Sequence, residues 1–208
     1  MGGATPVGGL RRAPRAFSGR AATTGPDGSL DADLLSRALA GDDSAFGALV
    51  DRHANALFGL AMGMTGHTAD AEDAVQETFA AAMRGIRGFE GRSSVRTWLT
   101  RILMNKLADL RRARRLHRAV PLHAATPGLA RPASERRGDP FGADVRMDVS
   151  TMLARLSPEH REIVVLREMQ GMSYRQIAEV LGVPPGTVES RLFRARRRLR
   201  DLLGDYLS

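Results

Sequence analysis

From Leu30 onward, apolar residues recur every three or four positions, the spacing that lines one face of a helix. A short helix is predicted around Leu34, Leu35, Ala38 and Leu39, ended by Gly41 in the left-handed conformation that glycine adopts cheaply. Ser44 is placed to cap a second helix carrying Phe46, Leu49, Val50, Leu57, Leu60 and Ala61, which stops at Gly66. Thr68 is placed to cap a third, with Asp70, Glu72 and Asp73 near the positive end of its dipole and a buried stripe of Ala74, Val75, Thr78, Phe79 and Ala82. Gly85–Val95 holds three glycines and two serines and reads as a loop. A fourth helix follows, with Val95, Trp98, Leu99, Ile102, Leu103 and Leu110 on one face. Helical spacing returns at Val145, Val149, Met152, Leu153 and Leu156. No stretch alternates as a half-buried strand does. The fold class expected is all-α: two small helical domains joined by a flexible linker.

The sharpest local pattern lies near the C-terminus. Ser157-Pro158 is a helix start, a hydroxyl cap followed by proline in the first turn, and that helix stops at Gly171. Ser173 and Gln176 form a capping box for a short helix burying Ile177, Ala178 and Leu181, ended by Gly182. Pro184-Pro185-Gly186 opens a long helix. Its apolar face carries Val188, Leu192, Ala195, Leu199 and Leu202; its outer face carries Thr187, Ser190, Arg191, Arg194, Arg197 and Arg198. A short helix, a glycine turn and a longer helix with a basic outer face make a helix-turn-helix, whose second helix fits the DNA major groove. A solvated helix would mix signs at i,i+4; here only Glu189 opposes the arginines.

Charge is segregated along the 208 residues. The net formal charge is +8, and Lys106 is the only lysine among 31 basic residues. Residues 30–83 carry nine acids against Arg37 and Arg52; residues 84–118 carry eleven bases against Glu90 and Asp109. Residues 184–200 carry six arginines against Glu189. Two polyanion-facing surfaces and a separate acidic surface are the simplest reading. Residues 1–29, rich in Gly, Ala, Pro, Ser and Thr with Arg11, Arg12, Arg15 and Arg20, read as a disordered basic tail. Residues 117–142 hold four prolines and read as a linker.

Composition excludes several classes. Without cysteine there are no disulfides, thiolate metal sites or cysteine nucleophiles, and a reducing cytoplasm is the expected setting. No apolar run approaches the ~18 residues of a membrane span, and no secretory signal is expected. The histidines (His53, His67, His117, His123, His160) are scattered and form no HExxH; His53 sits near an apolar helical face and is expected to be packed. No P-loop or GxSxG occurs. No catalytic residue, metal or cofactor is expected. Phe89, Arg92, Arg96 and Trp98 surround the glycine loop, a composition suited to unstacked single-stranded bases, although Trp98 fits the buried face better.

Three stretches together resemble the sigma-70 family of bacterial transcription initiation factors, of the small extracytoplasmic function (ECF) type. DAEDAVQETFAAAMRGIRGFEG (70–91) and SSVRTWLTRILMNKLADLRRARR (93–115) are similar to sigma region 2. LSPEHREIVVLREMQGMSYRQIAEVLGVPPGTVESRLFRARRRLRDLL (156–203) is similar to region 4. The resemblance implies a region 2 domain at 30–116, a linker at 117–142 and a region 4 domain at 143–204. It implies core RNA polymerase and promoter DNA as partners, and an anti-sigma factor. Asp70, Asp73, Gln76 and Glu77 would dock on the polymerase. Phe89, Arg92, Ser93, Arg96, Arg101, Asn105 and Arg112 would act at the −10 element, which the protein helps to melt. Thr187, Ser190, Arg191, Phe193, Arg194 and Arg197 would contact the −35 duplex. Glu189 departs from relatives that carry Lys or Arg there. Residues 117–142 number 26 and span about 28 Å as a free coil or about 86 Å extended. Two DNA turns cover about 70 Å, so a bound linker is held nearly straight and needs a supporting surface. Weak promoter binding by the free chain follows. The alternative is a conventional regulator that uses the same helix-turn-helix without polymerase.

Overall fold

The computed structural model describes residues 26–119 and 149–207, and among them the elements are helical with no strand. The tail expected at 1–29 and the linker expected at 117–142 lie largely outside these residues. In chain order the helices are α1 (Pro26–Leu39), α2 (Asp43–Thr65), α3 (Thr68–Gly85) and α4 (Val95–Ala119). After them come α5 (149–154), α6 (Pro158–Val164), α7 (Tyr174–Leu181) and α8 (Pro185–Leu207).

The first four helices pack through the expected stripes. Leu35, Leu60, Thr78 and Leu103, one from each helix, are fully buried. Thr78 satisfies its hydroxyl by donating to the Ala74 carbonyl at 2.7 Å, which lets a polar side chain sit in that core. Two expected caps move by a residue or two. Asp42 rather than Ser44 caps α2, its carboxylate accepting from the Ser44 and Ala45 amides at 3.0 and 3.2 Å. A carboxylate outcompetes a hydroxyl there because the dipole favours full negative charge. His67 occupies the N-cap position of α3 without a side-chain cap bond, and Thr68 is already helical. The loop after α3 begins with a 3₁₀ turn, Ile86–Gly88. α4 runs on through Ala119, so the first residues of the expected linker are helix.

The C-terminal helices assemble as their caps predict. Ser157 accepts from the His160 amide, and Pro158 opens α6. The helix continues into a π turn, Val165–Met169, before Gly171 at φ +62°. Both bonds of the Ser173–Gln176 capping box are present, and Gly182 closes α7 at φ +64°. Ile163, Val165, Leu166, Ile177, Val188, Leu192, Ala195 and Leu202 are buried between α6, α7 and α8.

The two halves pack on one another, an arrangement the helical periodicities do not foretell. α2 lies against the π turn and α4 against α7. A Cβ on Gly63 would sit 3.2 Å from a Val165 methyl, so glycine permits this approach. Arg161 donates to the carbonyls of Leu153, Ala154 and Met64 at 2.7, 2.8 and 3.1 Å, tying helix-end acceptors of both halves together. Arg111 on α4 pairs with Glu162 on α6 at 2.8 Å.

Candidate nucleic-acid interface

α8 presents its polar face because the opposite stripe is locked into the core. Val188, Leu192, Ala195 and Leu202 are buried, so residues on the opposite side of the helix must face outward. Ser190, Phe193, Arg194 and Arg197 are exposed and line one shallow concavity. Phe193 is 66% exposed, unusual for so large an apolar side chain. Thr187 is half-buried, its carbonyl accepting from the Ser190 hydroxyl at 3.1 Å. Arg191 stands apart from the others. It is half-buried and lies 3.4 Å from Glu159 of α6, so part of its charge is engaged within the fold. Arg196 is likewise paired, to Glu168 at 2.7 Å, and this bond raises its pKa further.

The loop before α4 and the helix itself form a second basic surface. Phe89 meets Trp98 at a tilt with ring centroids 4.8 Å apart, and Trp98 is buried in the core, as its helical spacing indicates. Phe89, Arg92, Ser93 and Arg101 converge on a hollow of about 420 Å³. Ser93 is itself buried, and Arg92 pairs with Glu90. Asn105 and Arg112 lie exposed farther along the face that begins at Arg101, and Arg112 also reaches Asp109 at 3.1 Å. Arg96 is exposed but committed elsewhere. It donates to the Gln170 carbonyl at 2.6 Å and its side-chain oxygen at 3.1 Å, while the Gln170 amide donates to the Ala56 carbonyl. Glu179 of α7 borders the same hollow. The helix-turn-helix therefore lies over part of the expected single-strand surface. Gln170 and Glu179 carry no signal in the sequence, because their role arises only from this packing.

α3 exposes Asp73, Gln76 and Glu77, with Glu77 3.3 Å from Lys106. Asp70 is half-buried and bonded to Arg114. Met83, 52% exposed, continues the stripe of Asp73 and Gln76 at helical spacing. That spacing could have found it, since an apolar residue in a polar stripe is the signature. Among the described residues no group of acidic and histidine side chains is arranged to hold a metal ion, and no helix is long and apolar enough to cross a membrane.

Family models for sigma-70 region 2 and sigma-70 region 4 match residues 49–117 and 146–199. The chain belongs to the sigma-70 family, ECF type. It is 38% identical to the ECF RNA polymerase sigma factor SigM of Mycobacterium tuberculosis over 174 residues, covering 84% of this chain and 85% of SigM. It is 36% identical to the RNA polymerase sigma factor CnrH of Cupriavidus metallidurans over 182 residues, 83% of this chain and 95% of that one. The solved structure of CnrH in complex with the cytosolic domain of CnrY aligns with TM-score 0.65 at 33% identity, over 85% of this chain and 98% of that one. The sigma factor RpoE in complex with the anti-sigma factor NepR, from Bartonella quintana, aligns with TM-score 0.59 at 29% identity, over 76% and 96%. This factor is thus a transcription initiation factor with sigma regions 2 and 4.

Proposed function

We propose that this factor binds core RNA polymerase through α3, reads −35 duplex through α8, and helps melt the −10 element with the loop and helix around Phe89–Arg112. The observation that carries the reading is the outer face of α8. Ser190, Phe193, Arg194 and Arg197 are exposed on the second helix of a helix-turn-helix, and Arg194 and Arg197 enter no ion pair among the described residues. On this reading residues 30–116 serve the polymerase and the −10 element, 143–204 serve the −35 element, and 117–142 tether them. Asp73, Gln76 and Glu77, with Asp70 at their edge, supply the polymerase contact, and Met83 extends it. Phe89, Arg92, Ser93 and Arg101 would hold an unstacked base in the hollow, with Asn105 and Arg112 on the backbone beside it. The expected setting is the cytoplasm.

The packing of region 4 on region 2 describes the factor off the promoter. Arg96 cannot serve DNA while it holds Gln170, and two elements about 70 Å apart cannot be reached by halves in contact. Polymerase would supply the surface on which they separate. An anti-sigma partner is also proposed, since the similar factor RpoE was solved with the anti-sigma factor NepR.

Run-off transcription with purified core polymerase tests the reading. Promoter-dependent product is expected only when the factor is added. Tight duplex binding by the chain alone, with no polymerase-dependent product on any genomic promoter, would favour a conventional regulator instead.

A further inference from the structure

Glu189 is the one acid in the basic stretch of α8, and nothing in the fold accounts for it. It is exposed and borders the same concavity as Ser190, Phe193, Arg194 and Arg197. Helical neighbours could have neutralised it, but positions three and four residues away hold Pro185, Gly186, Leu192 and Phe193. Other glutamates of this half do hold arginines of α8: Glu159 takes Arg191 and Glu168 takes Arg196. Glu189 enters no ion pair among the described residues. The helix dipole is a weak reason too, because the first turn of α8 carries no acid and the effect fades beyond that turn. On a helix entering the major groove, a carboxylate beside phosphates is repelled. It is favourable where it meets a hydrogen-bond donor, and the base-edge amino group it accepts from in the accepted pairings is cytosine N4. The flanking groups suit this task. Arg194 and Arg197 can neutralise the phosphates around the site, and exposed Phe193, one turn on, provides an apolar neighbour that excludes water and fits a thymine methyl.

We propose that Glu189 reads a base and makes cytosine a requirement at one position of the −35 element. The proposal rests on α8 being the −35 reader. Its location near the N-terminal end of α8 agrees with the part of a recognition helix that meets base edges. The carboxylate accepts from the exocyclic amine; adenine also offers an amine but pairs it with the N7 acceptor, which repels a second carboxylate oxygen, and guanine and thymine present only acceptors at the corresponding edge.

The test is transcription in vitro by the full-length factor with core polymerase on a promoter library randomised across the −35 element. The wild type is expected to select cytosine at one position, on one strand, with other bases there reduced about fivefold or more, the span of a single mismatch. Glu189→Gln keeps the shape, removes the charge and offers both a donor and an acceptor. It is expected to shift that one preference toward adenine, the base Gln pairs with. Glu189→Ala is expected to flatten the same position and leave the others unchanged. Identical base preferences in all three proteins would overturn the proposal. So would a uniform rise in transcription from every promoter on Glu189→Ala, which would mean that the carboxylate only repels the backbone. Absence of any product with wild-type factor would take down the proposed function on which this one rests, whereas product without a Glu189-dependent base preference takes down this proposal alone.

Discussion

Single residues show how burial redistributes charge. Asp31 on α1 is 6% exposed and His53 on α2 is 8% exposed, with Asp31 Oδ2 3.0 Å from His53 Nε2 and Oδ1 accepting from Arg52 Nε at 2.9 Å. Burial alone would raise the Asp31 pKa, but the bonds from His53 and Arg52 outweigh it and hold the carboxylate below its ordinary value. His53 is therefore packed, as its place beside an apolar stripe indicates, yet its partner lies on another helix and could not be read from spacing. Asp31→Ala removes the acceptor shared by two donors and is expected to cost about 1–3 kcal/mol, measured by urea unfolding. At the α2 cap, the Ser44 hydroxyl and Arg37 guanidinium bring Asp42 down to about 2. A lowered carboxylate pKa stabilises the fold above its unfolded value, 3.8, and the benefit disappears as pH falls toward 2. Acid titration of the unfolding midpoint should therefore decline less steeply between pH 4 and 2 in Asp42→Asn than in the wild type. Equal slopes would show that the cap is not titrating.

At the scale of elements, the proposed function divides the labour among α3, α4 and α8. Each has a buried stripe that fixes its orientation and a polar stripe left for partners. The polar face of α8 was legible because its apolar residues recur without a break from Val188 to Leu202. Arg194→Ala should weaken −35 recognition by about 1–3 kcal/mol if it reads a base, seen by binding of holoenzyme to promoter fragments, with polymerase association intact. Asp73→Arg should do the reverse, and co-purification with core polymerase checks it; unchanged recovery would contradict the role given to α3. Arg191 carries less weight in this scheme, since Glu159 holds part of its charge.

For the whole molecule, the seam between the halves decides which surfaces are open. The α2–π-turn approach depends on Gly63, and the bonds around Gln170 tie it to both Arg96 and Ala56. Gly63→Leu places a branched side chain where even a Cβ would sit 3.2 Å from a Val165 methyl, and should part the halves, raising the radius of gyration in small-angle X-ray scattering. An unchanged radius, with the wild type already extended, would mean that the halves do not stay together in solution.

The sequence by itself determined the helices, most of their ends, and the chemistry of the α8 face. Those features depend on residues within about one turn of each other, where caps, glycine conformation and apolar spacing act. Only the tertiary structure decided which arginines remain open to a ligand and that α7 lies beside the loop and helix proposed for single-stranded DNA. The bond from Arg96 to Gln170 spans 74 positions and that from Gln170 to Ala56 spans 114. Contacts so distant leave no periodic trace, because they are set by how two finished packing surfaces meet.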